Sequence, residues 1–345
     1  MKLIYPNFIW ATEKYLKFCG TAEVALVIIL AYLHFERLGR QLYNRKVGRK
    51  MEQIWNECLE KLKQREMVVN YIQVRCHGET VLDWGRMEQK TRLNTWSVSK
   101  SFVSVAVGIA MDEGLLTLDE KICESFPEYL PKNPSRNLLD ITVRHMLTMT
   151  TGFDHALFFA DDPERYVTED WIAYFFNHDF TYRPGERFLY CNFNTYMLAC
   201  LIERKCGRNL MDYLKEKLFT PLGILSPDWT TCPGGHIHAA NGLYLTIDEL
   251  ANFGEMLLNG GTYKGNSIVS KKYLDMASVN QLPEDWDTKY GFQFWINFDG
   301  TSYRADGKFG QFVFVLPKKD MVVAVQSLDD GNMLEELWSE FIMKL

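Results

Sequence analysis

Several common signatures are missing from this chain, and each absence closes a class of function. No Gly-x-Ser-x-Gly occurs in its 345 residues, so the nucleophile elbow of the α/β-hydrolases has no support. No glycine-rich phosphate loop is present, which argues against a nucleotide enzyme. The eight cysteines form no Cys-x-x-Cys pair and are scattered from Cys19 to Cys232. Such dispersion in a chain of this length predicts reduced, packed thiols and a cytoplasmic location rather than a disulfide framework. Positive charge is not in excess. The formal net charge is −6, so nucleic acid is not an expected partner. Internal repeats and low-complexity linkers are also absent.

What is present is core-forming material. Apolar residues make up 47% of the chain and aromatics 14%, which excludes disorder. The length suits one large domain or two interleaved ones. Near the N-terminus, Val24 to Leu33 is continuously apolar and is followed by Arg37, Arg40, Arg45, Lys46, Arg49 and Lys50. Only by counting 18–35 does the stretch approach a membrane span, and Glu23 then lies inside it. Residues 1–50 are therefore read as a helical extension of unknown role. A membrane anchor through 18–35 is the alternative, and Met51 is a possible natural start.

The most informative local feature is Trp96-Ser97-Val98-Ser99-Lys100, directly ahead of the apolar run Val103 to Met111. Residues at i and i+3 share a helix face, so the Ser97 hydroxyl and the Lys100 amine can meet. A lysine buried there loses much of its preference for the charged form and can take the serine's proton. Ser97 is the only serine with a lysine three positions on. It also sits where a helix begins, with backbone N–H groups available to an oxyanion. On this motif alone, a surface Ser and Lys at a helix start is an equally good reading.

Strands are predicted at Val68 to Cys76 and Thr80 to Trp84, and again at Phe292 to Phe298, Ser302 to Ala305, Gln311 to Leu316 and Met321 to Ser327. Helical spacing falls at Thr142 to Met149, Trp171 to Phe176, Asn194 to Cys206, Leu210 to Phe219, Thr246 to Asn259 and Met333 to Leu345. Strands at both ends with helices between imply an α/β (α+β) fold. It would hold one antiparallel sheet built from both chain ends and flanked by helices. The sheet domain is placed at 51–111 and 236–345, with a mainly helical domain inserted at 112–235.

Taken in order, these pieces resemble the penicillin-recognising serine hydrolases. The branch is that of class C β-lactamases, carboxylesterases and 6-aminohexanoate-oligomer hydrolases. Ser97-Val98-Ser99-Lys100 looks like its first motif, and Arg144 to Gly152 like a helix-ending segment. Arg183-Pro184-Gly185 through Tyr190-Cys191-Asn192 looks like the approach to a Tyr-x-Asn second motif. Phe219 to Ile224, Asn241 to Thr246 and Gly307 to Gln311 continue the match, which covers about 51–345. The resemblance implies a β-lactamase/transpeptidase-like fold and a Ser97 acyl-enzyme. Lys100 and Tyr190 would be its bases, the lysine's amine lowering the phenol's pKa, and Asn192 would orient Lys100 and the substrate. The backbone N–H groups of Ser97 and Lys308 would form the oxyanion hole. Ala305, Asp306 and Gly307 would bind substrate along a strand.

The third motif departs from the family's lysine-containing form, reading Ala305-Asp306-Gly307. Lacking a cation at 305, the site is poorly equipped to hold a substrate carboxylate, which weakens a β-lactam reading. Arg304 is expected to face away from where residue 305 faces, because strand neighbours alternate. An ester or amide hydrolase is the leading expectation, acting on a small-molecule or peptide substrate without a cofactor. Weak β-lactamase or D-amino-acid peptidase activity, and a non-catalytic ligand-binding role, are the alternatives. Cys232, His236 and His238 are too loosely spaced, and too short of a fourth ligand, for a metal site to be expected. His145 is read as a hydrogen-bonded core residue. Trp171, Phe175, Phe176, Trp229, Tyr244, Trp286 and Trp295 are candidates for an apolar pocket, most of them expected in the core.

Overall fold

The computed structural model describes residues 46–329 and 331–345. The expected extension up to residue 45, with the 18–35 segment, lies outside the described residues. The chain divides into two units, Met1–Asn56 and Glu57–Leu345. The described part of the first, 46–56, is helical. Among the described residues no helix is long and apolar enough to cross a membrane.

The second unit carries strands β1 (Val69–Cys76), β2 (Glu79–Gly85), β3 (Leu93–Asn94), β4 (Asp228–Trp229), β5 (Leu243–Leu245), β6 (Thr262–Tyr263), β7 (Asn266–Ser267), β8 (Trp295–Ile296), β9 (Tyr303–Gly307), β10 (Gln311–Leu316) and β11 (Met321–Ser327). Its principal helices are α1 (Ser99–Asp112), α2 (Asn192–Cys206), α3 (Ile247–Leu258) and α4 (Met333–Glu340). The main sheet runs β2-β1-β11-β10-β9-β8, antiparallel throughout. The pairing of β1 with β11 joins the two ends of the unit, as the sequence pattern predicts. Between β3 and β4 the described residues form helices and loops with no strand.

β10 and β11 are buried on every residue, because helices cover both faces of the sheet. Val313 and Val322 face α3, whose Gly254 lets the helix approach closely: a Cβ there would lie 2.5 Å from the Val322 side chain. Phe314, one residue along, points to the opposite face and meets Trp338 of α4. The Thr246–Glu249 capping box starts α3 one residue after the expected boundary.

α1 is buried along nearly its whole length, which explains its uninterrupted Val103 to Ala110 run. Gln293 ties it to its neighbours. The Gln293 carbonyl accepts from Ser101 Oγ at 2.8 Å, its Oε1 from Thr195 Oγ1 of α2 at 2.7 Å, and its amide donates to Met146 and Leu147 carbonyls at 3.0 Å. Its buried side chain thus ties α2 to the Val143–Leu147 helix, while its backbone carbonyl holds α1. His145 is half-buried rather than in the core. Its Nδ1 accepts the Thr142 N–H and caps that helix.

Candidate active site

Ser97 and Lys100 meet as the i, i+3 spacing predicts. A short 3-10 turn, Trp96–Val98, leads into α1, and Lys100 is the helix's second residue. The turn is held from outside. Thr95 donates through its N–H and Oγ1 to the Leu243 carbonyl at 2.8 and 2.9 Å, and Asn94 Oδ1 accepts the N–H groups of Trp96 and Gly242. Trp96 adopts φ +49°, a conformation that costs a non-glycine residue about 1–2 kcal/mol.

The Lys100 amine is 1% exposed and donates three hydrogen bonds. They run to Ser97 Oγ at 2.8 Å, Asn192 Oδ1 at 2.8 Å and the Ala240 carbonyl at 2.9 Å. All three acceptors are uncharged. Burial, with no carboxylate bonded to it among the described residues, lowers the amine's pKa to about 7. Loss of a proton near neutral pH would free the amine's lone pair to face the Ser97 hydroxyl.

Asn192 is the first residue of α2, with buried Cys191 as the N-cap. Its Nδ2 donates to the Phe158 carbonyl at 2.8 Å, which aims Oδ1 at Lys100. The chain reaches this point through Pro184-Gly185, where the Gly185 N–H donates to Thr150 and the Leu189 N–H to Met149, each at 2.8 Å. Tyr190 is delivered to the same place: its ring centroid is 4.8 Å from the Lys100 amine, and its phenol hydrogen-bonds with Ser97. Tyr290, Trp295 and Phe159 surround the ring. The direction of its pKa shift differs from the one expected. Burial pushes the Tyr190 pKa up rather than down, the Asp306 carboxylate adding to the shift while the bond to Ser97 and the Arg304 charge oppose it. The phenol holds its proton at neutral pH.

Of the third expected segment, only part lies at the cavity. Gly307, at the end of β9, lies against the start of α1. A Cβ on it would stand 2.3 Å from the Thr95 carbonyl oxygen and 3.2 Å from the Ser97 nitrogen. Lys308 is exposed and lines the cavity beside Ser97. Asp306 is half-buried and also lines it. Ala305 does not, contrary to expectation. It is 1% exposed and packs into the main core, because strand alternation turns it inward. The same alternation brings Arg304 to the cavity with Asp306. The Arg304 guanidinium bonds the Asp306 carboxylate at 2.8 Å and Asn297 Oδ1 at 3.2 Å. Burial nevertheless leaves the Asp306 pKa above its ordinary value.

These groups open into a cavity of about 740 Å³, lined by Ser97, Tyr190, Asn192, Gly307 and Lys308 among others. Its wall also includes Trp96, Phe159, Asp161, Asp162, Asn241, Trp295 and Arg304. Of the aromatic candidates named from the sequence, only Trp295 lines it; Trp171, Phe175, Phe176 and Trp229 belong to the core. The Ala240 carbonyl left no trace in the sequence, since a backbone acceptor has no residue preference. Among the described residues, Cys232, His236 and His238 do not form one cluster of three ligand atoms. His238 is buried with both ring nitrogens unpartnered, packs against Trp171, and is pushed down to about 3 by burial. His236 instead hydrogen-bonds Glu203.

A family model described as Beta-lactamase matches residues 55–342. The chain belongs to the β-lactamase family. The match contains every residue of the site just described. Among curated β-lactamase-family relatives, Penicillin-binding protein 4* of Bacillus subtilis is 28% identical over 134 residues, covering 37% of this chain and 28% of that protein. The 6-aminohexanoate-dimer hydrolase of Paenarthrobacter ureafaciens is 26% identical over 202 residues, covering 52% of this chain and 48% of its own. The chain thus spans under half the length of these curated relatives. The octameric penicillin-binding protein homologue from Pyrococcus abyssi superposes with a TM-score of 0.67 at 21% identity, over 85% of this chain and 77% of that one. That likeness shows the β-lactamase-like fold.

Proposed function

We propose that this protein is a serine hydrolase that cleaves an ester or amide through a Ser97 acyl-enzyme. One observation carries the reading: a buried, uncompensated Lys100 amine 2.8 Å from Ser97 Oγ. Lys100 takes the Ser97 proton as Oγ attacks the carbonyl carbon. The developing oxyanion is held by the N–H groups of Ser97 and Lys308. Tyr190, protonated and bonded to Ser97, passes its proton to the leaving group and regains one through Lys100. Water then attacks the acyl carbon along the reverse relay, releasing the acid and restoring Ser97. Asn192 keeps the amine directed at Ser97.

The charge around the cavity supports a neutral or amine-bearing substrate over an anionic one. Three carboxylates, Asp161, Asp162 and Asp306, stand against Arg304 and Lys308, and Arg304 is engaged by Asp306. Esters and simple amides suit this wall. The Asp161 and Asp162 carboxylates favour, as a second reading, amides that carry a free amine, including D-amino-acid peptides. The seven free cysteines among the described residues support a reducing compartment.

A fluorophosphonate probe tests the scheme. Labelling is expected at Ser97, found as a single modified peptide by mass spectrometry, with parallel loss of hydrolysis of a chromogenic ester. Labelling elsewhere, or full activity of the labelled protein, would overturn it. The pH dependence has a definite sign. Acylation needs neutral Lys100, so kcat/KM for an uncharged ester should rise as pH passes through about 7 and level off above it. A profile that is flat from pH 5 to 9, or that falls on the alkaline side of 7, contradicts Lys100 as the base.

A further inference from the structure

The far half of α2 carries a second group of reactive side chains that hydrolysis does not use. Cys200 and Glu203 lie one turn apart on its buried face. Opposite them, Cys232 to His236 forms a tight hairpin. The Cys232 N–H donates to the His236 carbonyl at 2.8 Å, and the Gly235 N–H to the Cys232 carbonyl at 3.0 Å. Pro233-Gly234-Gly235 makes the turn, with Gly235 at φ +82°. A Cβ on Gly234 would stand 3.6 Å from the His236 ring and 3.7 Å from Cys232 Sγ, so both side chains leave the hairpin on one side. The Cys200 sulfur, a Glu203 carboxylate oxygen and a His236 ring nitrogen all lie within 4.8 Å of one another. Cys232 Sγ is 3.3 Å from the Tyr196 hydroxyl, which also bonds Cys200.

We propose that Cys200, Glu203, His236 and Cys232 are the ligands of a zinc ion that pins the 232–236 hairpin to α2. The donor set is what zinc takes: two thiolates, one imidazole and one carboxylate in a closed four-coordinate site. The pattern, Cys-x-x-Glu on a helix and Cys-x-x-x-His across a glycine turn, delivers two donors from each side. Bonds of about 2.0–2.3 Å need Cys200, Glu203 and His236 to close in from within 4.8 Å of one another, and need the Cys232 sulfur to leave the Tyr196 hydroxyl and turn in as the fourth donor. The Glu203 carboxylate is already aimed, since its other oxygen accepts the Leu210 N–H at 2.9 Å. The ion takes the place of the hydrogen now shared by His236 and Glu203, and the two thiol protons pass to solvent. A cavity of about 430 Å³ lined by Cys200, Glu203 and His236 gives access from solvent. From the hairpin the chain runs on through His238 to Ala240, whose carbonyl holds Lys100. The clamp therefore steadies a segment that the hydrolytic site depends on.

The test uses the full chain without a polyhistidine tag, reduced and freed of metal by chelation, then titrated with Co²⁺ and Zn²⁺. The expected result is one equivalent bound, with thiolate-to-cobalt charge-transfer bands and the visible bands of tetrahedral cobalt. Zinc should displace the cobalt, release protons, and raise the melting temperature. Cys200→Ser and Cys232→Ser should each diminish the charge-transfer band. His236→Gln, at a half-buried position where folding is not at stake, should weaken zinc binding and abolish the thermal shift. Absence of the charge-transfer band in the wild-type chain, binding unchanged in His236→Gln, or recovery of the thiols only as a Cys200–Cys232 disulfide would overturn the proposal. None of these readouts requires hydrolytic activity, so the site stands or falls separately from Ser97.

Discussion

Ser97→Ala and Lys100→Met are each expected to lower kcat/KM by about 10^4- to 10^6-fold, with the double variant no worse than the poorer single one. The two side chains act as one unit: the hydroxyl is a weak nucleophile until the amine removes its proton, and the amine has no other reacting partner. Among the described residues Lys100 bonds Ser97, Asn192 and the Ala240 carbonyl, none of them a base that could replace it. Tyr190 is no substitute, because burial holds its phenol protonated. Methionine fills the lysine's volume with an unbranched apolar chain, so the fold should survive. The measurement is ester hydrolysis by the two singles and the double, with melting temperature as a check on folding. Additive losses would separate the pair, and substantial activity in Lys100→Met would remove lysine from the mechanism.

Gly307→Ala carries the second large effect, expected as a loss of about 10^2- to 10^3-fold in kcat, the scale of losing one oxyanion donor. A Cβ 2.3 Å from the Thr95 carbonyl cannot be accommodated by a side-chain rotation, since the atom it meets is backbone. β9 must retreat from the start of α1, and the Lys308 N–H moves with it away from Ser97. A displacement near 1 Å at an oxyanion donor is enough to cost about 10^2-fold. The overpacking should also cost about 1–3 kcal/mol of stability. Fluorophosphonate labelling in the variant should slow in step with kcat, because both reactions place negative charge at the same spot. If Gly307→Ala keeps wild-type kcat, the end of β9 does not contribute to the oxyanion hole.

Much of this architecture was readable beforehand because it rests on local periodicity. β10 and β11 fall on the residues that apolar continuity marked, Gln311 to Leu316 and Met321 to Ser327. α1 followed from a run of small and branched apolar residues that only a fully buried helix explains. β8 did not follow: Phe292 to Phe298 reads as a strand, yet only Trp295 and Ile296 pair. Gln293, at φ +61°, spends its side chain joining two helices and its carbonyl holding a third instead.

The strand ending at Gly307 shows where local reasoning stops. Alternation correctly separates Arg304 from Ala305, but nothing local says which of the two faces is the cavity. Packing against α1 decided that, sending the alanine inward and the arginine toward Ser97. Likewise the sequence alone determined that hydroxyl and amine share a helix face and that strands from both ends build one sheet, since both depend on short-range periods. Only the tertiary structure decided that Lys100 is enclosed by uncharged acceptors, that Tyr190 stays protonated, and that His236 finds Glu203 rather than His238. Desolvation and partner choice depend on atoms brought together from distant parts of the chain, and no residue spacing encodes them.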